Sequence, residues 1–181
     1  MKKNLKIFGI SLAIILVIFI IAKFILTKFI YKTDYLDLII ENNIKASGID
    51  PYLILSMIKT ESNFNKDATS SKNAKGLMQI LDSTSTDVQH LTNIDDADLY
   101  IPEQNIKIGI NYMDLLIKRY KGNYYLAICA YNAGIGNVDK WIEEGILDKN
   151  LDDININTPY TETNKYLKKV ILIYRMYKLL Y

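Results

Sequence analysis

An uncharged apolar run near the N-terminus is the feature that most constrains this chain. No charged residue stands between Ile7 and Ala22, and apolar residues continue past Lys23 to Leu26. Counted to Leu26 the run has about 20 residues, roughly 30 Å as a helix, which is enough to cross the hydrocarbon core of a bilayer. The run therefore predicts one transmembrane helix. Roughly 150 residues remain after it, which suffices for one compact domain.

Lysines on both sides of the run set its expected orientation. Lys2, Lys3 and Lys6 precede it and favour a cytoplasmic N-terminus, although Lys28 and Lys32 weaken the asymmetry. A cleaved signal peptide is the competing interpretation, but the run is long and no small-x-small cleavage site stands before Lys32. A buried core helix is a third interpretation, which the length disfavours. We expect an uncleaved, single-pass anchor in the cell membrane, with the domain outside the cytoplasm.

The expected boundary between the two parts follows from this. Residues 1–32 are predicted to be the membrane anchor and its tether, with residues 27–33 forming the juxtamembrane link. Residues 33–181 are predicted to be the single folded domain.

Composition excludes several function classes for that domain. The formal net charge is +2 and the charges are dispersed, so no nucleic-acid partner is expected. Cys129 is the single cysteine, so no intrachain disulfide forms. With only one histidine, His90, no metal site is expected.

Turn and capping residues divide the domain into predicted helices, and alternating strand patterns are nearly absent. Residues 63–75 are predicted to be a loop or a small β-excursion, and residues 145–160 a loop. We therefore predict a mainly α domain. The predicted helices are Asp34 to Ala46, Pro51 to Glu61 with Asp50 as its cap, Leu77 to about Leu91, Pro102 to about Tyr120, Tyr124 to Asn132, Gly136 to Glu144, and a last one capped by Thr161 or Thr163 that reaches almost to Tyr181.

Glu61 is an ionisable residue where an apolar one is expected. It falls on the stripe formed by Ile54, Met57 and Ile58 at helical spacing. It also lies near a helix C-terminus, where the macrodipole disfavours a negative charge. Both effects raise the pKa of a carboxyl group. A protonated carboxylic acid in an apolar wall is what a glycosidase needs to protonate a leaving sugar oxygen.

Three separated motifs accompany Glu61. The first comprises Glu61-Ser62-Asn63-Phe64, then Ala68, Ser70 and Ala74, and then Gly76-Leu77-Met78-Gln79-Ile80. The second is Ala130-Tyr131-Asn132-Ala133-Gly134, and the third is Pro159-Tyr160-Thr161-Glu162-Thr163 followed by Tyr166. Their order and spacing resemble the SLT family of lytic transglycosylases, relatives of goose-type lysozyme. Pro102, Asn105-Ile106 and Gly109 also match the family's stretch between the first two motifs. The resemblance covers roughly residues 36–178.

The resemblance implies a fold, a substrate and a set of site residues. The fold is lysozyme-like, α+β with little sheet, and the substrate is the glycan strand of peptidoglycan. Glu61 is then the catalytic acid and base, and no cofactor is required. The residues implied to bind substrate are Ser70, Met78, Gln79, Tyr131, Asn132 and Glu162. Independently of the resemblance, a buried Tyr131 hydroxyl needs a partner, and we expect it to form a hydrogen bond with Glu61.

The chain departs from the family pattern in the loop after Glu61. Lys66 stands where the family usually has proline, and Asn73 stands where it usually has glycine. Ile135 replaces a usual proline after Gly134. Lys66 and Asn73 put the shape of the loop in question, but they remove no group that does chemistry.

The implied mechanism needs only one carboxyl group. Most glycosidases use two, and Asp67, the nearest acid in sequence, has no feature that marks it as a nucleophile. The resemblance implies cleavage of the β-1,4 bond between N-acetylmuramic acid and N-acetylglucosamine, with closure of a 1,6-anhydro ring. Two alternatives remain open at this point. One is a hydrolytic muramidase, and the other is a non-catalytic glycan-binding scaffold with protein partners in an envelope assembly.

Overall fold

The computed structural model describes residues 2–43, 48–92 and 97–181. Within them the chain is helical, with no extended strand and two isolated bridges, Thr69 with Lys75 and Lys75 with Ile80. The prediction of a mainly α domain with little sheet is confirmed. The helices are α1 (Lys2–Ile25), a π-helical segment (Leu26–Ile30), α2 (Leu36–Asn43), α3 (Pro51–Glu61), α4 (Asp82–Thr92), α5 (Pro102–Arg119), α6 (Tyr124–Ala133), α7 (Ile135–Glu143) and α8 (Thr161–Leu180).

The apolar run forms α1 and continues into the π-helical segment. Gly9–Ile30 is long and apolar enough to cross a membrane, with a mean hydropathy of 2.8, and its most apolar stretch is not buried in the protein. Within the predicted tether over residues 27–33, π-helical structure persists to Ile30. A short irregular segment, residues 31–35, then leads to α2. The predicted end of α2 at Ala46 lies outside the described residues.

α3 carries Glu61, and its start is fixed by the predicted cap. Asp50 Oδ1 accepts a hydrogen bond from the Tyr52 amide at 2.9 Å, and Pro51 occupies the first turn. Ile54 and Met57 are fully buried, as the helical spacing predicts. α3 packs most extensively against α8. The two helices run antiparallel, because Asp50 contacts Tyr174 and Glu61 contacts Tyr166.

The prediction of a helix from Leu77 to Leu91 is wrong in its first turn. Regular helix begins at Asp82, and the segment before it is a tight turn. Gln79 has φ +49°, which is left-handed, and Lys75 and Ile80 exchange two backbone hydrogen bonds. The Leu77 carbonyl instead accepts from the Ser62 hydroxyl at 2.8 Å. Tertiary hydrogen bonds thus replace the helical ones over residues 76–80.

α6 is the central helix of the domain, and residues 125–130 are buried on all sides. It packs against α5, α7 and α8. Gly134 ends it with φ +85°, as predicted, which brings Tyr131 and Asn132 to the end of a rigid element. The predicted side-chain cap of α8 is wrong. Tyr160 precedes its first residue without a capping bond, because the Thr163 hydroxyl donates to Asn132 Oδ1 at 2.8 Å instead.

Candidate active site

Glu61 ends α3 and lines a cavity of about 160 Å³. The cavity lies among the ends of α3, α6 and α8 and the loop of residues 62–81. Five of the six residues predicted to bind substrate line it together with Glu61, namely Ser70, Gln79, Tyr131, Asn132 and Glu162. Lys72, Ala74 and Leu81, which were not predicted, also line it. The fold therefore brings residues from three separated motifs to one carboxyl group.

The environment of Glu61 favours its protonated form. Burial raises its pKa from 4.5 to about 7, against the hydrogen bond from Tyr166 and the charge of Lys169, which lower it. The negative charge of Glu162 adds a smaller upward effect. A pKa near neutrality allows one carboxyl group to donate a proton and later to accept one.

Tyr166 is the hydrogen-bond partner of Glu61. Its hydroxyl, on the buried face of α8, donates to Glu61 Oε1 at 2.6 Å. Burial, followed by the nearby Glu61 carboxyl, raises the pKa of Tyr166 well above its ordinary value. Tyr166 therefore stays a neutral donor and holds one oxygen of the carboxyl group in place.

The predicted bond from Tyr131 to Glu61 is wrong. The Tyr131 hydroxyl donates to the Met78 carbonyl at 2.8 Å. Its ring packs on Tyr112, with centroids 5.3 Å apart, and Tyr112 lines a second cavity of about 540 Å³. Tyr131 lines the cavity, but its hydroxyl supports the backbone of the turn over residues 76–80.

Asn105 fixes that turn from inside the protein. It is fully buried on α5, and its Oδ1 accepts from the Met78 amide at 2.8 Å. Its Nδ2 donates to the Lys75 and Leu99 carbonyls at 2.9 and 2.8 Å. Gly76, with φ +73°, permits this approach, because a Cβ there would lie 2.3 Å from Asn105 Nδ2.

Met78 is the one predicted substrate-binding residue that the structure does not bring to the cavity. Its side chain is fully buried and packs on Gly109, where a Cβ would lie 2.3 Å from the Met78 Sδ. The left-handed backbone at the next residue, Gln79, directs the two side chains apart. Met78 thus contributes to the site through its backbone, whereas Gln79 reaches the cavity.

The two departures in the loop after Glu61, Asn73 and Lys66, have defined local surroundings. Asn73 adopts φ +62°, a left-handed conformation that asparagine tolerates better than most residues. The Ala74 amide donates to Ser70 Oγ at 3.0 Å, which closes the turn around Asn73. Lys66 forms a surface ion pair with Asp67 at 2.7 Å. Asn73 therefore supplies the left-handed backbone that this turn needs, and Lys66 lies outside the cavity.

The mouth of the cavity carries opposite charges. Glu162, in the first turn of α8, has its Oε2 4.0 Å from Lys72 Nζ, and both side chains are mostly exposed. Of the described residues that line the cavity, Glu61 and Glu162 are the only ones with carboxyl groups. Asp67 does not line it.

The other reactive residue types lie apart from this site. In the described ranges no three His, Cys, Asp or Glu side chains are grouped so that they could hold a metal ion. Cys129 is buried, and burial raises its pKa to about 12, so its thiol is not activated. His90 lines the second cavity.

Tyr166 and Asn105 organise the site, and the sequence assigned neither of them a role. Tyr166 stood in the third motif, but nothing in the sequence indicates that it meets Glu61, 105 positions away. Asn105 did carry a signal. Together with Gly109 it lies at helical spacing beside the apolar stripe of α5. A buried polar side chain on such a face needs partners, and here those partners shape the active-site turn.

Known proteins resemble the chain in sequence and in fold. Residues 38–153 match the family described as Transglycosylase SLT domain. The chain is 31% identical over 123 residues to the soluble lytic murein transglycosylase of Escherichia coli K12, covering 65% of this chain and 19% of that protein. It is 35% identical over 150 residues to the membrane-bound lytic murein transglycosylase C of Actinobacillus pleuropneumoniae serotype 5b. That match covers 70% of this chain and 41% of that protein.

Solved structures give the same result. The 70 kDa soluble lytic transglycosylase from Escherichia coli matches with a TM-score of 0.69 at 26% identity, over 82% of this chain and 25% of that chain. A complex of the 70 kDa soluble lytic transglycosylase with bulgecin A matches with a TM-score of 0.71 at 27% identity. The predicted lysozyme-like fold is therefore confirmed.

The chain spans less than half the length of these relatives. The family match nevertheless covers most of the chain and includes Glu61 and the first two motifs. The chain therefore belongs to the transglycosylase SLT domain family.

Proposed function

We propose that this protein is a peptidoglycan lytic transglycosylase. The observation that carries the proposal is Glu61, a carboxyl group with a pKa of about 7 in a cavity lined by residues of two further family motifs. The substrate is the glycan strand of peptidoglycan, and the bond cleaved is the β-1,4 bond between N-acetylmuramic acid and N-acetylglucosamine. A second cavity beside Tyr112 and Tyr131 supports a groove long enough for a polymer.

Glu61 acts twice in the proposed reaction. In its protonated form it donates a proton to the glycosidic oxygen, and the N-acetyl group of the substrate stabilises the developing cation. The resulting carboxylate accepts the proton of the muramic acid C6 hydroxyl, whose oxygen bonds to C1 and closes a 1,6-anhydro ring. The nucleophile belongs to the substrate, so the attack has the advantage of an intramolecular reaction.

Tyr166 and Lys169 support the second half of the cycle. Tyr166 donates to Oε1, which leaves Oε2 for proton transfer. Both residues lower the pKa of Glu61 against the larger effect of burial. They therefore stabilise the ionised form of Glu61 at neutral pH once it has donated its proton.

A hydrolytic muramidase is the second candidate, and one observation favours it. Glu162 lines the same cavity and supplies a second carboxyl group, which an inverting hydrolase uses to activate water. Its ion pair with Lys72 and its exposure at the mouth of the cavity favour a role in substrate binding instead.

We also propose that the protein is a single-pass membrane protein with a cytoplasmic N-terminus. The apolar helix Gly9–Ile30 and the lysines before it support this orientation. Similarity to a membrane-bound lytic murein transglycosylase C supports a membrane location. The catalytic domain then lies outside the cytoplasm, on the side of the membrane where peptidoglycan is found.

Mass spectrometry of the products tests the proposed reaction. The full chain in detergent is incubated with purified sacculi, beside the variant Glu61→Gln and the control Asp50→Asn, which is distant from the cavity. We expect muropeptides with 1,6-anhydro ends, one water molecule lighter than hydrolysis products, from the wild type and from Asp50→Asn only. Products that carry the additional water would identify a muramidase. Unchanged digestion by Glu61→Gln would exclude both enzymes.

A further inference from the structure

The end of the apolar helix contacts the end of α8 through tyrosine hydroxyl groups. Tyr181 donates to the Tyr31 carbonyl at 2.9 Å and to the Thr27 carbonyl at 3.2 Å. Tyr177 donates to the Lys32 carbonyl at 2.8 Å. Side chains at the C-terminal end of the domain therefore bind the backbone at the last turn of the apolar helix and just beyond it.

Four aromatic rings close around these hydrogen bonds. We call Tyr31, Tyr52, Tyr177 and Tyr181 the tyrosine junction. Tyr177 is fully buried and meets Tyr31 edge-on at 5.4 Å and Tyr52 in a stack at 6.0 Å. Tyr181 stacks on Tyr52 at 6.1 Å and on Tyr177 at 6.2 Å. The junction thus joins three parts of the chain, which are the end of the apolar helix, α3 and α8.

Two lysines add charge to the aromatic faces. Lys59 Nζ lies 5.6 Å from the centre of the Tyr31 ring, and Lys178 Nζ lies 5.6 Å from that of Tyr52. Lys178 also pairs with Asp50 at 3.0 Å. The junction is therefore connected to the same helices that carry the active site.

The order of the contacts gives the direction of the two segments. Thr27 meets Tyr181 and Tyr31 meets Tyr177, four residues earlier in α8, so the two segments run antiparallel. Tyr35 lies further along and stacks on Phe64 at 6.4 Å, close to Glu61 in sequence. α8 therefore extends from the active site at Tyr166 to the junction at Tyr181. That stretch of helix is about 22 Å long at 1.5 Å per residue.

We infer that the tyrosine junction locks the catalytic domain onto the membrane helix, so that Glu61 is held at one height above the bilayer and cleaves glycan strands in one layer. The inference rests on the proposed function and on the proposed membrane span. A flexible tether would let the domain sample strands at many distances. The junction removes that freedom, because it binds both the last turn of the apolar helix and the residue after Tyr31.

The lock is separable from the covalent link, which gives a sharp test. The junction's ring contacts with Tyr31 and its hydrogen bonds to the Thr27, Tyr31 and Lys32 carbonyls all lie before Thr33. A flexible insertion of six Gly and Ser residues between Lys32 and Thr33 therefore lengthens the link and leaves those contacts in place. The double substitution Tyr31→Ala and Tyr181→Ala removes two of the four rings. Tyr31 is only partly buried and Tyr181 is exposed, so we expect the domain to keep its fold.

Distance measurements between spin labels report the rigidity. Labels are placed at Ile20 on α1 and Lys107 on α5, both exposed, in the full chain reconstituted in lipid nanodiscs. Buried Cys129 does not compete for the label. We expect one narrow distance distribution for the wild type and for the insertion alone. The insertion combined with the double substitution should widen the distribution several-fold. An insertion that broadens the distances as much as the combined variant would overturn the inference.

Cleavage products report the functional consequence. Each variant is reconstituted in the same vesicles as lipid-attached glycan strands. Soluble glycan strands serve as the control substrate. We expect all variants to cleave soluble strands at equal rates. On lipid-attached strands, the wild type should leave fragments of a narrow length range, and the combined variant should leave fragments of a broad range. Identical fragment lengths from both would refute the lock and leave the proposed function intact. A wild type that cleaves neither substrate would refute the proposed function.

Discussion

α3 and α8 contact each other at both ends through a carboxyl group of α3 or its cap and a tyrosine hydroxyl of α8. The pKa values of the two carboxyl groups are shifted in opposite directions. At the cavity, Glu61 accepts a hydrogen bond from Tyr166, and burial raises its pKa to about 7. At the opposite end, Asp50 accepts a hydrogen bond from Tyr174. Burial opposes ionisation of Asp50 as well, but its pKa is lowered.

The number and charge of the donors explain the difference. Asp50 accepts from the Tyr52 amide and from Lys178 in addition to Tyr174. These groups together outweigh the desolvation of Asp50. Glu61 has one neutral donor and a more distant cation, Lys169, so desolvation prevails. The same helix pair thus holds a structural carboxylate at one end and, at the other, a carboxyl group whose pKa lies near neutrality.

The largest expected effect is on turnover. Glu61→Gln removes the only proposed proton donor, and general acid–base catalysis contributes about 10²- to 10⁴-fold. We expect the rate of muropeptide release to fall by at least about 10²-fold, while Asp50→Asn stays within about twofold of the wild type. Comparable losses in both variants would mean that the two ends are not functionally distinct.

The next effect is on stability, and its sign differs between the two ends. The pKa of Glu61 is about 7 when folded and near 4.5 when unfolded, so protonation at low pH favours the folded state. That contribution is complete below about pH 4.5, is lost as the pH rises through 7, and amounts to about 3 kcal/mol. At pH 8, Glu61→Gln should therefore unfold at higher urea concentration than the wild type, with little difference at pH 4.

Asp50→Ala should do the opposite. The variant loses the cap of α3, which is worth about 1 to 2 kcal/mol at pH 7. The pKa of Asp50 is lowered on folding, so its stabilisation is present above the unfolded pKa and is lost as the pH falls through the folded pKa. The difference from the wild type in urea unfolding should therefore shrink in acid. If the stability difference between Asp50→Ala and the wild type grew in acid, the pKa of Asp50 would not be lowered by folding.

A smaller effect, on the pH profile of activity, distinguishes Tyr166 from Tyr174. Tyr166→Phe removes a hydrogen bond that lowers the pKa of Glu61, so the alkaline limb of the kcat/KM profile should move above pH 7. We expect a loss of about tenfold at the pH optimum, equivalent to about 1.4 kcal/mol. Tyr174→Phe is the matched control, and its pH profile should be that of the wild type. An unmoved limb in Tyr166→Phe would show that the bond to Glu61 is not functional.

The smallest effect distinguishes Tyr131 from Tyr166. Tyr131→Phe removes the bond to the Met78 carbonyl and should cost about 1 kcal/mol in urea unfolding. Its kcat/KM profile should keep the alkaline limb of the wild type. A shifted limb would restore the direct bond to Glu61 that the sequence had suggested.

Much of the helical frame could be predicted because its signals are local. Asp50 and Pro51 mark the start of α3, Gly134 marks the end of α6, and the apolar stripe of α3 is buried as its spacing indicates. The turn over residues 76–80 was not predictable in this way. Its sequence suits a helix, and the hydrogen bond that prevents one comes from Asn105, 27 positions after Met78.

By itself the sequence determined which carboxyl group is anomalous and where the chain becomes apolar enough to span a membrane. Both follow from periodicity and hydropathy, which are properties of neighbouring residues. Only the tertiary structure decided which tyrosine bonds Glu61 and how the apolar helix joins the domain. Tyr131 and Tyr166 are aromatic residues on adjacent helices, and the packing of α8 against α3 selects between them. The contact of Tyr181 with Thr27 has the same origin, because it joins residues from opposite ends of the chain.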